Sequence, residues 1–173
     1  MENLKNVRWK QRLQNFEKAY VEFQNSCNLK SYSKLERSGF IQTFEFTFEL
    51  AWKTLQDLLQ ARGYTGTIGP RPVIEQAFQN GILQDGESWM KMLESRNLTA
   101  HCYDEKIAEE IAHQIKTEYF RLISQLVEYL RVENIQLSQL NLPYQFDLLD
   151  FDHLENSDLR EHIERVGKVI FQR

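Results

Sequence analysis

Between Trp9 and Cys27 the apolar residues Trp9, Leu13, Phe16, Tyr20, Phe23 and Cys27 recur at alternating intervals of four and three. Only a helix of 3.6 residues per turn gathers such positions on one face, so this stretch predicts an amphipathic helix. Ser33-Lys34-Leu35-Glu36 then has the form of a capping box, in which serine and glutamate satisfy the first free amides of a second helix. That helix carries Ile41, Phe44, Phe48, Ala51, Leu55 and Leu58 on one stripe, while Phe40, Phe46, Leu50 and Trp52 lie off it. A helix apolar around so much of its circumference must be covered on more than one side. Arg62-Gly63 ends it, glycine suiting the left-handed cap. YTGTIGPRP reads as a loop, with Pro72 suited to the first turn of a short third helix that Asn80-Gly81 stops. Asp85 can cap a fourth helix through Trp89, Met92 and Leu93. Ile107, Ile111, Ile115, Tyr119, Leu122, Leu126 and Tyr129 predict a long last one. The expected fold is all-α, an antiparallel bundle of four to five helices over residues 1–133.

The pattern changes after Glu133. NIQLSQLNLP is polar, has no apolar stripe and ends in proline, so residues 134–143 read as a linker. In residues 144–173, YQFDLLDF is a strand candidate, Asp158–Glu161 a second capping box opening a short helix that Gly167 closes, and VIF a last short strand. This small β-α-β appendage is too short to build a core alone.

Composition narrows the function classes. Two cysteines, Cys27 and Cys102, are too few and too far apart in sequence for a disulfide framework or a zinc site. No apolar run approaches membrane-spanning length and none follows the first residues, so a soluble, reducing compartment, the cytoplasm, is expected. A net charge of −4 argues against a tight nucleic-acid coat protein. The charge is uneven, with ten Lys/Arg against seven Asp/Glu in residues 1–62, seven against eleven in 63–133 and four against seven in 134–173. The N-terminal part could therefore still offer a local phosphate-binding surface.

SRNLTAHCYDE, residues 95–105, concentrates reactive side chains. On a continuous helix Arg96 and His101 would sit about 140° apart, so they meet at one ligand only if the helix bends or ends there, or if a second subunit contributes its own pair. The spacing favours a composite, dimeric site. Arginine can clamp a phosphate with parallel hydrogen bonds, histidine can move a proton at neutral pH, and Asn97 can orient either group. That inventory suits metal-independent RNA cleavage, in which a 2′-hydroxyl attacks its own phosphate. The same residues would also serve a plain helix end, with a solvated arginine and a histidine at a bundle seam.

Arg96-Asn97-Leu-Thr-Ala-His101-Cys-Tyr103 matches the R-x4-H-x-Y motif of HEPN-domain proteins. With FEFTFELAWKTLQDLL, GPRPVIEQAFQNGIL and DGESWMKMLESRNLTAHCYDE, residues 1–133 resemble the branch called nucleotidyltransferase substrate-binding proteins, encoded beside a minimal nucleotidyltransferase. The resemblance implies a homodimeric helical bundle acting as a toxin-like ribonuclease on RNA, with Arg96, His101 and Asn97 in its site and no cofactor of its own. It also implies that the partner nucleotidyltransferase, using Mg and ATP, neutralises the toxin by adding AMP to Tyr103. The tail LPYQFDLLDFDHLENSDLREHIERVGKVIF resembles the C-terminal end of that nucleotidyltransferase, whose third metal-binding carboxylate falls on Asp147. The chain has no Gly-Ser turn followed by a D-x-D pair, and one carboxylate cannot hold the metal ions that nucleotidyl transfer needs. It is therefore not a complete nucleotidyltransferase. The alternative to a ribonuclease is a non-catalytic substrate-binding subunit of a two-protein nucleotidyltransferase, with the tail completing the partner's catalytic domain.

Other residues are expected to be structural. Cys102 beside His101 invites a cysteine-nucleophile reading, but helix neighbours point 100° apart. His113, His153 and His162 lack metal-ligand spacing. Glu45, Glu49 and Lys53 form an i, i+4, i+8 row that reads as a solvated or salt-bridged stripe, able to orient Arg96 if it faces that residue.

Overall fold

The structure, a computed structural model, describes residues 4–139. Among them every element is helical: α1 (Leu4–Cys27), α2 (Lys34–Ala61), α3 (Pro70–Gln79), α4 (Gly86–Leu98), a 3-10 turn (Thr99–His101), α5 (Glu105–Gln114), a π-helical segment (Ile115–Tyr119) and α6 (Phe120–Gln139). The last three run on without a break, so the expected long final helix is present, with a π turn in its middle. The apolar spacing of this helix gives the reason. Ile107, Ile111, Ile115 and Tyr119 are four apart three times over, and each such step drifts about 40° off a 3.6-residue helix. The i→i+5 bonding of a π turn widens the helix and absorbs that drift. Ile111, Ile115 and Tyr119 are accordingly all buried.

The ends of α2 follow the sequence reading. The Ser33 backbone amide donates to Glu36 Oε2 at 2.7 Å and the Glu36 amide donates to Ser33 Oγ at 3.3 Å, a complete capping box. Gly63, at φ +92°, turns the chain out of the helix while the Tyr64 amide donates to the Leu59 carbonyl at 3.0 Å. Asp85 caps α4 by accepting the Ser88 amide at 2.9 Å.

Contacts set the packing directions. Phe23 meets Phe40 and Phe44 while Arg12 meets Asp57, so α1 and α2 run antiparallel. Tyr20 donates to Ser124 at 2.9 Å and Arg131 reaches Glu17 at 2.8 Å, which makes α1 antiparallel to α6. Glu45 and Glu49 face Thr99 and Arg96, and Phe48 faces Trp89, so α4 lies antiparallel on α2. Trp9, Phe16, Phe23, Phe44, Phe48, Leu55, Trp89 and Ile115 share the core. The crowded α2 is thus covered by α1 on one side and by α4 and the final helix on others. Of its off-stripe residues Phe40 is buried, Leu50 and Trp52 are half-buried, and Phe46 stays exposed.

The expected linker begins in helix. Residues 134–139 are the last turns of α6. An apolar stripe marks a buried helix face, but a helix already nucleated propagates at little cost through Asn134–Gln139, which has no glycine or proline. Residues 140–143, the β-α-β appendage at 144–173 and Asp147 lie outside the described residues.

Candidate functional site

The R-x4-H-x-Y segment sits where α4 ends. The chain stays α-helical through Leu98, tightens to a 3-10 turn over Thr99–His101, and turns away at Cys102–Tyr103 before Asp104 caps α5 by accepting the Lys106 amide at 2.9 Å. The helix therefore ends between Arg96 and His101, one of the conditions for the pair to work together. The tighter turn does not bring them onto one side. At about 120° per 3-10 residue the two positions stay roughly opposed.

Arg96 turns toward α2. Its Nη2 lies 4.0 Å from Glu49 Oε2, and its buried Nε has no hydrogen-bond partner. Glu49 is itself held in place, since Trp52 Nε1 donates to it at 3.0 Å and Lys53 Nζ pairs with it at 2.7 Å. Burial pushes the Glu49 carboxyl up, but the hydrogen bonds from Lys53 and Trp52 and the charges of Lys53 and Arg96 outweigh that and hold it below its ordinary value of 4.5. The stripe of Glu45, Glu49 and Lys53 thus does face Arg96. One turn along, the Thr99 hydroxyl lies within hydrogen-bonding reach of Glu45 Oε1 and, at 2.6 Å, of the Arg96 carbonyl. Gln42, Glu45, Phe46, Glu49 and Arg96 line an open groove of about 240 Å3.

His101 and Tyr103 sit on the exposed turn. Tyr103 Oη is 3.5 Å from His101 Nδ1, the outer limit of a hydrogen bond, with the rings edge to face at 5.9 Å. Tyr103 is 82% exposed, so its hydroxyl is open to a large partner. Asn97 is exposed beside Arg96. Cys102 packs partly against the core; burial first, and then the charge of Glu45, push its thiol up, which disfavours the thiolate a nucleophile needs. His113 is exposed on α5, lining a separate groove with Tyr32, Arg37 and Lys116. His153 and His162 lie outside the described residues. Within one chain, then, the structure joins His101 to Tyr103 and Arg96 to Glu49, on two adjoining patches.

A supporting network was not foreseen from the sequence. Ser95, next to Arg96, is buried with its hydroxyl 2.7 Å from Tyr119 Oη and 2.9 Å from Gln114 Oε1, and Tyr119 Oη donates to the same Gln114 oxygen at 3.1 Å. Gln114 and Tyr119 are five apart, about 140° on an α-helix. The π segment is what lets both reach Ser95. The last turn of α4 is thereby fastened to the final helix through Ser95 and to α2 through Thr99, with Arg96 between the two fastenings. The run of four-residue spacings is the only trace of this in the sequence.

Comparison with known proteins agrees with this architecture. Residues 11–132 match the family described as nucleotidyltransferase substrate binding protein like. A Haemophilus influenzae protein named probable ribonuclease HepT is 32% identical over 101 residues, covering 56% of this chain and 68% of that protein. A crystal structure from Thermus thermophilus is similar at a TM-score of 0.63 and 35% identity, over 67% of this chain and 98% of the other. A Haemophilus influenzae structure, described as the fold of a substrate-binding domain of a nucleotidyltransferase, is similar at a TM-score of 0.53 and 27% identity, over 73% and 98% of the two chains. With its helical bundle and its R-x4-H-x-Y segment at the end of α4, the chain belongs to the nucleotidyltransferase substrate-binding protein-like family.

Proposed function

We propose that this chain is a HEPN-type toxin that cleaves RNA without a metal ion and is silenced by AMP transfer to Tyr103 from a partner nucleotidyltransferase. The observation that supports it is the position of Arg96 and His101 on the two sides of the break at the end of α4, His101 exposed and Arg96 partly so. Similarity to a protein named probable ribonuclease points the same way. His101 takes the proton of a ribose 2′-hydroxyl, the freed oxygen bonds to the adjacent phosphorus, and the 5′-oxygen leaves with the proton handed on by the His101 imidazolium. Arg96 neutralises the charge that builds on the phosphoryl oxygens, and Asn97 orients the ribose. Because Arg96 and His101 occupy adjoining patches, a second copy of the chain supplies the complementary half of each site.

Cleavage by the purified protein should survive EDTA and leave a 2′,3′-cyclic phosphate end. Arg96→Ala and His101→Ala should each reduce the rate by roughly a hundredfold or more, the usual effect of losing a charge-stabilising or proton-transferring group. Activity abolished by EDTA would count against the mechanism.

In the silencing step the Tyr103 oxygen bonds to the α-phosphorus of ATP, pyrophosphate leaves, and the phenol proton passes to solvent; a magnesium ion held by the partner would supply the activation. The resulting phosphate sits beside His101 and excludes RNA by occupancy and charge. Mass spectrometry after co-expression with the partner should find AMP increments on the peptide carrying Tyr103. Equal protection of a Tyr103→Phe variant would remove this step.

A second reading is favoured by the structure described as a substrate-binding domain of a nucleotidyltransferase. There the chain is non-catalytic and presents a substrate or Tyr103 to its partner, and Asp147 completes the partner's metal site. Induced wild-type protein would then be as harmless as its Arg96→Ala variant, whereas a toxin arrests growth only with Arg96 in place.

A further inference from the structure

Phe46 lies beside Arg96 without being needed for the cleavage chemistry. It is 57% exposed, on a helix whose other phenylalanines are buried, and it joins no ring stack among the described residues. It lines the open groove with Gln42, Glu45, Glu49 and Arg96. Positions 42, 45, 46 and 49 fall at i, i+3, i+4 and i+7, which puts them on one face of α2. One wall of the groove therefore holds a ring with an open face, an amide and two carboxylates, and the Arg96 guanidinium stands at its end.

Glu49, 4.0 Å from Arg96, is three residues from Phe46, about 4.5 Å along the helix axis. Phe46 and Arg96 thus line one short groove together. We propose that this groove is a nucleobase subsite, in which Phe46 stacks a base, Arg96 holds the phosphate of the same nucleotide, and the lining acceptors select bases with an amino edge. The proposal deepens the RNA reading above and rests on it. Single-stranded RNA is recognised by stacking unpaired bases on aromatic side chains and by bonding to their edges.

The edge chemistry decides which bases fit. Thr99 engages one oxygen of Glu45 and leaves the other to accept. Both oxygens of Glu49 are already engaged by Lys53 and Trp52, so Glu45 and Gln42 are left to read the base. Adenine N6, cytosine N4 and guanine N2 are amino donors that a carboxylate accepts, whereas uracil has no amino group and offers one N3–H flanked by two carbonyl oxygens that a carboxylate repels.

The test uses short, fluorescein-labelled 2′-O-methyl oligomers of adenosine, cytidine and uridine, and an abasic oligomer of equal length. None can be cleaved through a 2′-oxygen, so anisotropy reports binding alone. The wild-type chain should bind the adenosine and cytidine oligomers more tightly than the uridine and abasic ones. Phe46→Ala should lose roughly tenfold on adenosine and cytidine and nothing on the abasic strand, Phe46→Tyr should retain binding, and Glu45→Gln should narrow the preference against uridine. Equal affinity for abasic and adenosine oligomers would overturn the subsite. So would dissociation constants above about 100 µM for every oligomer, the weak end of non-specific binding. A Phe46→Ala chain that sediments as a smaller species than wild type would assign the ring to a contact between copies instead. If base-dependent binding holds but the wild type cleaves no RNA, the cleavage reading fails and the subsite stands.

Discussion

Glu49 is a single side chain on which several others depend. Lys53, Trp52 and Arg96 all bear on its carboxylate and hold it below its ordinary value of 4.5. A folded-state value below the unfolded one means that the stabilisation is fully present above the unfolded value, and is lost as pH falls through the folded one. Wild type should therefore have a higher Tm than Glu49→Gln near neutral pH, and the difference should shrink below about pH 4.5. A Tm difference that does not change between neutral and acid pH would show that Glu49 acts by shape and not by charge. Asp57 also gathers two partners. At 2% exposure it lies between Arg8 and Arg12 and ties α1 to α2 from inside the core edge.

At the scale of elements, the π segment Ile115–Tyr119 is the departure from regularity that most affects the site. It keeps Ile111, Ile115 and Tyr119 in the core and brings Tyr119 and Gln114 together on Ser95. Tyr119→Phe removes one hydroxyl and leaves Ser95 and Gln114 to bond each other. The expected loss is about 1 kcal/mol of unfolding free energy, the net worth of an ordinary internal hydrogen bond. Ser95→Ala should cost a similar amount, and the double variant should cost less than the sum because the two share a partner. Denaturant unfolding of the four proteins measures this coupling; strict additivity would mean that the network contributes no shared energy. Gly86 marks another element-level constraint, since a Cβ there would come within 2.8 Å of the Phe78 ring where α3 meets α4.

For the whole molecule the prediction concerns self-association. Three of the four off-stripe residues of α2 find cover within the chain, so the breadth of its apolar face is mostly accounted for by α1, α4 and the final helix. The dimer is motivated instead by the site, where Arg96 and His101 occupy adjoining patches of one chain. Sedimentation at micromolar concentration should report about twice the 20.7 kDa chain mass. A monomer would sink the composite site and, with it, the arrangement proposed for cleavage.

Much of this was legible in the sequence for a definite reason. Helix spacing, the Ser33–Glu36 capping box, the Asp85 cap and the Gly63 turn are local features that depend on residues within a turn or two of each other. Periodicity and capping therefore reported them directly, and the R-x4-H-x-Y spacing marked the candidate site, which falls where α4 ends. The helical state of residues 134–139 was not legible, because the absence of a buried face says nothing about whether an exposed helix continues. What tertiary structure alone decided was pairing across long sequence separations. Glu45 meeting Thr99, Glu49 meeting Arg96, and Ser95 meeting Gln114 and Tyr119 depend on how α4 lies on α2 and on the final helix. No local pattern encodes those contacts, because the energy that selects them is the burial of whole helix faces, summed over the core and not carried by any one residue.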